Sequence, residues 1–377
     1  MKATWDIFCS VVDNYGDVGV TWRLARQLVA EHGQSVRLWV DDPRAFARLC
    51  PPADPASPRQ WQAGVEVRIW PSAWRPVQPA DVVIEAFACQ LPAAFRQAMA
   101  ARSPQSLWLN LEYLSAEDWV AGCHGLPSPQ PEGLRKFFFF PGFSAATGGL
   151  LRERELLKMR DAFQADPLAR AAFLAGLGVV PDEAQQLISL FCYENGGLGE
   201  WLDGLAGGEE PTLLLVPEGR VLGDLQRWAG GGPLAPGRRL ERGALQVQVL
   251  PFVAQPDYDR LLWSCDFNLV RGEDSLLRGL WAGRPLLWDI YKQADEAHLD
   301  KLTAFAELYL AGLPAEASAA LGHFWRQWNA GAGCAEAWRA LRPWRSLLRQ
   351  HARSRSAALA GQSDLAARLV HFCADWL

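Results

Sequence analysis

Asp13-Asn14-Tyr15-Gly16-Asp17-Val18-Gly19-Val20 decides how this chain reads. It follows an apolar run over residues 7–12, with Phe8 and Cys9 inside it, that predicts a buried first β-strand. It precedes Trp22-Arg23-Leu24-Ala25-Arg26-Gln27-Leu28-Val29, whose spacing predicts an amphipathic helix. Two carboxylates and two glycines therefore occupy a tight turn at the carboxyl end of a strand. In open α/β sheets that edge is where ligands bind. Glycine lets the backbone approach a ligand closely. Asp13 and Asp17 would repel phosphate and suit a proton or a cationic group instead.

Outward from this turn, strands are predicted at 36–40, 65–70, 82–85 and 107–111, with an aromatic run at 137–140 before Pro141-Gly142. That is the rhythm of a doubly wound parallel sheet. Residues 151–171 read as a helix able to carry the chain between domains. A second α/β pattern follows, with strands at 187–192, 212–216, 245–250 and 267–270 and a Gly/Pro-rich surface loop at 230–236. From Asp295 the chain reads as mostly helical, and 354–375 reads as one amphipathic helix. The expected domains are two Rossmann-like units, over 1–180 and over 181–359. A final helix near 360–377 is expected to fold back on the first. The expected fold class is α/β, two Rossmann-like domains facing a central cleft, which is the GT-B arrangement of many nucleotide-sugar glycosyltransferases. Other two-domain α/β enzymes share this rhythm, so architecture alone does not name a reaction.

Composition narrows the classes. The chain has 377 residues, half of them hydrophobic and 21% charged, which suits packed domains rather than disorder. A formal net charge of -5 argues against a general nucleic-acid surface. No apolar run reaches the roughly 18 residues of a membrane span. No secretory signal pattern opens the chain, so a cytoplasmic location is expected. The eight cysteines form no Cys-x-x-Cys clip and read as buried free thiols. The six histidines are scattered, so no metal site is expected. Of the 18 tryptophans, Trp22, Trp39, Trp263 and Trp281 stand at core positions.

A second constellation, Arg271-Gly272-Glu273-Asp274-Ser275, leaves the strand at 267–270 and enters a helix with an apolar face of Leu276, Leu277, Leu280 and Trp281. Asp274 or Ser275 can cap that helix. Its N-terminus suits a diphosphate, and Arg271 can add a charge-assisted contact. Glu273 can bind a ribose hydroxyl or balance charge at the reacting centre. An ordinary capped strand–helix junction explains the same residues. Pro251-Phe252-Val253-Ala254-Gln255 ends the preceding strand, where Phe252 can stack on a base. Phe191 and Tyr193 end the first strand of the second half, and Tyr291 lies one strand further on. These aromatics can equally cover a core edge. A P-loop and the Rossmann glycine fingerprint are absent.

Taken together, the segments 13–26 and 38–42, Phe191-Cys192-Tyr193-Glu194-Asn195, Pro251-Phe252-Val253-Ala254-Gln255 and Arg271-Gly272-Glu273-Asp274-Ser275 resemble the bacterial protein-arginine rhamnosyltransferases that modify elongation factor P, the EarP family. The resemblance runs over nearly the full length. It implies an inverting GT-B enzyme that moves L-rhamnose from dTDP-β-L-rhamnose to an arginine of elongation factor P, activating it to relieve ribosome stalling at polyproline. No cofactor, metal, nucleic acid or membrane partner is implied. It places Asp13 and Asp17 with acceptor and catalysis, and Glu273 with catalysis or donor orientation. It places Tyr193, Phe252, Gln255, Arg271, Asp274 and Ser275 with dTDP. Asn14, Tyr15, Gly16, Phe191, Gly272 and Tyr291 complete the expected donor-binding set.

An arginine nucleophile is protonated and delocalised at neutral pH. Carboxylates can clamp it, and one must take a proton as the C–N bond forms. Asp13 is expected as base and Asp17 as orienter, with the reverse open. The competing readings are a transferase acting on a lipid or glycan and a non-catalytic nucleotide-sugar-binding module. The three acids Asp13, Asp17 and Glu273 weigh against the binding module.

Overall fold

The computed structural model describes residues 2–10, 15–70, 74–131, 133–292 and 297–376. Asp13 and Asn14 therefore lie outside the described residues. Packing divides the chain into two units, 1–154 with 360–377, and 155–359.

Among the described residues the first unit holds an eight-stranded sheet. Its strands are β1 (Thr4–Cys9), β2 (Ser35–Val40), β3 (Arg59–Gln62), β4 (Val65–Ile69), β5 (Val82–Ala86), β6 (Leu107–Leu111), β7 (Pro127–Pro129) and β8 (Arg135–Phe139). The order is β3-β4-β2-β1-β5-β6-β8-β7. β3 and β7 run antiparallel at the two edges and the six between are parallel. The parallel strands carry near-continuous apolar runs, as sheets covered on both faces require. Phe8, Trp39, Val83, Phe95, Met99 and Trp108 close one of the buried clusters.

The second unit holds β9 (Gln186–Leu190), β10 (Thr212–Pro217), β11 (Arg239–Arg242), β12 (Leu245–Leu250), β13 (Phe267–Arg271) and β14 (Leu286–Asp289), in the order β11-β12-β10-β9-β13-β14. Among these strands only β11 is antiparallel. In each sheet the chain starts in the middle, winds one way, then crosses to the other side. The switch points lie between β1 and β5 and between β9 and β13. Ligands of open α/β sheets bind there, at the carboxyl ends.

Several expectations shift. β1 spans Thr4–Cys9, beginning before the expected 7–12, of which residues 11 and 12 lie outside the described residues. The helix expected over 151–171 is two helices, Leu156–Ala165 and Pro167–Gly176. Asp166 breaks it: proline at the next position sets a new first turn, and the Asp166 carboxylate accepts from the Leu168 and Ala169 amides. Both helices belong with the second unit, so the chain divides near 155 rather than 180. The helix expected over 354–375 is also two, Arg345–Ala360 and Leu365–Ala374. Gly361 follows the first, and Asp364 caps the second by accepting from the Ala367 amide. The last helix packs on Gly16–His32. Gln27 of that helix donates to Asp364 Oδ1 (3.1 Å), Glu31 Oε2 (3.0 Å) and the Arg152 carbonyl (2.8 Å). The short edge strands β3, β7 and β11 carry too weak an alternation to be read from sequence. Among the described residues no helix is long and apolar enough to cross a membrane.

Candidate functional site

In the second unit, three strand exits converge around Arg271. The residue ends β13 with extended backbone and occupies the position before the helix Gly272–Ala282. Gly272 takes φ 56°, a left-handed conformation that costs a side-chain-bearing residue. The expected cap by Asp274 or Ser275 is corrected. Arg271 itself holds the cap position, and the Ser275 hydroxyl accepts from the Arg271 amide (3.0 Å) while donating to the Arg271 carbonyl. Trp288 Nε1 donates to the Gly272 carbonyl at 2.9 Å and fixes the turn from β14.

The Arg271 guanidinium lies over the Phe191 ring at 4.6 Å and the Tyr193 ring at 4.9 Å. The residue is only 6% exposed, and its Nη1 has no hydrogen-bond partner among the described residues. A buried cation left short of acceptors is costly unless a ligand supplies an anion. Tyr193 packs edge-on to Tyr291 at 5.5 Å, and Arg220, paired with Glu194 at 3.0 Å, lies 5.6 Å from the same ring. Phe191 also packs on Tyr258.

Asp289, at the end of β14, is a functional candidate that the sequence reading missed. It is 2% exposed, and its Oδ2 accepts the Tyr193 amide at 2.7 Å. Burial pushes its carboxyl up to about 6, against the lowering effects of the Tyr193 amide, Lys292 and Arg271. Asn329 braces the same exit, accepting from the Ile290 amide (3.1 Å) and donating to the Trp288 carbonyl (2.9 Å). The sequence carries the signal in Trp288-Asp289-Ile290, a carboxylate at a strand end.

The other expected residues spread along the same edge. Gln255, the first residue of the helix Gln255–Ser264, is buried and directs Nε2 to Asp274 Oδ2 at a long 3.4 Å. Phe252 is half-buried just before it. Glu273 is held by Lys301, with Nζ 2.6 Å from Oε1. Lys301 was not expected, because its helix, Ala297–Leu310, is remote in sequence. Behind the turn, Arg278 and Asp259 form a buried two-point ion pair at 2.7 and 2.6 Å that ties the helices Gln255–Ser264 and Gly272–Ala282 together.

In the first unit, Tyr15 precedes the helix Gly16–His32 and its carbonyl accepts the Gly19 amide at 2.8 Å. Asp17 is in the first turn, 3% exposed, where the positive end of the helix favours a carboxylate. Its carbonyl accepts from Thr21 Oγ1 at 3.0 Å. Cys9 is close: burial raises its thiol well above the usual range, a bond from Thr21 opposes this, and the Asp17 charge raises it further. Beside β1, Ser10 Oγ donates to Asp41 Oδ2 at 2.5 Å. Across the switch point, β5 is followed by Phe87 and Ala88, at φ 56° and 55°.

A family model described as Elongation-Factor P (EF-P) rhamnosyltransferase EarP matches residues 5–374. A protein-arginine rhamnosyltransferase of Pseudomonas putida is 64% identical over 372 residues, covering 99% of each chain. One from Pseudomonas aeruginosa is 61% identical over 375 residues, covering 100% of each. A solved structure concerned with EarP-mediated arginine glycosylation of translation elongation factor EF-P superposes with a TM-score of 0.72 at 46% identity, covering 100% of both chains. With its two Rossmann-like α/β sheets, the chain has the GT-B glycosyltransferase fold.

Proposed function

The chain belongs to the EarP family of elongation-factor P rhamnosyltransferases, and from that premise we propose how it performs its reaction. It is a protein-arginine rhamnosyltransferase whose acceptor is elongation factor P. The donor in this reading is dTDP-β-L-rhamnose, and the transfer inverts the anomeric carbon. The observation that carries the donor side is Arg271: a buried guanidinium, seated on two aromatic rings beside a helix N-terminus, with Nη1 unbonded among the described residues. A diphosphate satisfies that nitrogen and the first amides of the helix together. Ser275 and Asp274 line the same turn. Phe252 and Gln255 take the base side, with Phe191, Tyr193 and Tyr291 walling the nucleotide.

Chemistry then needs a nucleophile and a route for one proton. Asp13 and Asp17 hold the acceptor guanidinium, and one of them takes a proton as nitrogen attacks the anomeric carbon. The C–O bond to the diphosphate breaks on the opposite side, which inverts the centre in a single displacement. Charge that develops on dTDP is stabilised by Arg271 and the helix amides, donors fixed before reaction. Glu273, held by Lys301 at the start of that helix, orients the sugar. We place the reaction in the cytoplasm, where its translation-factor acceptor works.

Intact-mass analysis of elongation factor P after incubation with the full chain and dTDP-β-L-rhamnose tests this reading. One deoxyhexose increment on an arginine is expected, with a large loss in Arg271→Ala. Full transfer by Arg271→Ala would overturn the donor-site assignment.

A further inference from the structure

The first unit has a feature that the donor and acid assignments do not use. Phe87 and Ala88 carry side chains yet sit in the left-handed region, which is uncommon for alanine and an outlier for phenylalanine. Strain of this kind persists only where the surroundings over-determine it, and it clusters at functional sites. Here three bonds enforce it. The Phe87 amide donates to the Leu111 carbonyl at 2.7 Å, the Cys89 amide to the Ala86 carbonyl at 3.1 Å, and the Cys89 thiol to the Phe8 carbonyl at 3.3 Å.

The effect is to lay the Phe87 ring flat under Tyr113, with centroids 4.7 Å apart and planes 21° from parallel. Phe87 is 7% exposed, whereas Tyr113 is 37% exposed. Register places this pair at the switch point. Cys9 pairs with Ala86, and Ala86 with Leu111, so the exits of β1, β5 and β6 end in line. The same edge carries carboxylates: Asp17 after β1, Asp41 after β2 and Glu112 after β6. A flat, supported aromatic face beside acids suits a planar cation. The acceptor of this enzyme family is one: a guanidinium stacks on aromatic faces, whereas an ammonium is a strongly hydrated point charge.

We propose that the Tyr113 ring, propped by Phe87, is the shelf on which the guanidinium plane of the acceptor arginine lies while carboxylates of the same edge hold its N–H groups. Tyr113 is then a positioning and specificity residue, and the Phe87–Ala88 conformation serves to keep it level. The inference rests on reading the first unit as the acceptor side.

The test uses the full chain, folded elongation factor P and dTDP-β-L-rhamnose, with dTDP binding measured by calorimetry on the same preparations. Tyr113→Leu keeps apolar bulk and removes the π face. Its KM for elongation factor P should rise roughly 3- to 30-fold, the scale of a lost cation–π contact, with dTDP affinity unchanged. Tyr113→Phe, which retains the face, should restore the KM to within about twofold. An unchanged acceptor KM in Tyr113→Leu, or an equal loss in Tyr113→Phe, would overturn the shelf. If Asp17→Asn is still inactive in that case, the acceptor-side reading survives. Weakened dTDP binding in Tyr113→Leu would overturn the acceptor-side reading as well.

Discussion

Replacing Arg271 with methionine should separate binding from stability in the second unit. Methionine approximates the length of the arginine stem and keeps apolar contact with Phe191 and Tyr193 while removing the charge. Two terms set the effect on the free protein. A buried cation with no ion-pair partner among the described residues costs several kcal/mol of desolvation. Two aromatic faces at 4.6 and 4.9 Å return about 0.5–2 kcal/mol each. These nearly cancel, so unfolding by urea should change by no more than about 1 kcal/mol, although the position is buried. Binding has no such cancellation. One charge-assisted hydrogen bond to diphosphate is worth about 1.5–3 kcal/mol, so Kd for dTDP should rise by roughly 10- to 150-fold. Titration calorimetry and urea denaturation on one preparation read both quantities. A stability loss above about 3 kcal/mol with dTDP affinity intact would mean that Arg271 is a core strut, and the anion-site reasoning would fail.

Four further outcomes are expected. Asp17→Asn, and likewise Asp13→Asn, should lower turnover by about a hundredfold or more with dTDP affinity unchanged, checked by transfer rate against calorimetry. Asp289 titrates near 6 when folded, against an ordinary 3.8, so the folded state binds its proton more tightly than the unfolded one. Stability should therefore fall as pH rises from about 4 to about 6, by up to about 3 kcal/mol, and urea curves of Asp289→Asn should lose that slope. Ala88→Gly relieves a positive φ and should stabilise the first unit by about 0.5–1 kcal/mol, read as a later urea midpoint. Transfer should survive EDTA, since Arg271 and the helix amides carry the diphosphate charge in this mechanism; loss restored by magnesium would contradict it.

How much of this was legible in the sequence depended on whether the signal was local. Buried parallel strands announce themselves as apolar runs, and β6 and β12 fall where those runs do. The turn beginning at Tyr15-Gly16-Asp17 and the switch at Arg271-Gly272 were readable because strand, glycine and helix follow one another within a few residues. What escaped depends on contacts far apart along the chain. Lys301 meets Glu273 across 28 residues, and Asp289 meets the Tyr193 amide across 96. Phe87 looks like any apolar residue at a strand end until its φ and its partner Tyr113 are known. Helix breaks at Asp166-Pro167 and Asp364 were local signals, but periodicity on either side masked them.

The two sheets share one solution to different tasks. Each begins at its centre and turns back across its first strand, so the exits of β1 and β5, and of β9 and β13, open side by side. What differs is the charge placed there. The second unit puts a guanidinium on aromatic rings at its switch point, which calls for an anion. The first puts carboxylates beside a stacked aromatic pair, which calls for a cation. Transfer from a nucleoside diphosphate to an arginine needs one of each. Exchanging the charges should therefore disable the units independently: an Arg271→Glu enzyme would lose the donor while still retaining elongation factor P on a surface, and an Asp17→Lys enzyme would lose the acceptor while still binding dTDP. Loss of both ligands in either variant would show that the sites are not separable by unit, and the division of labour argued from the two switch points would fall.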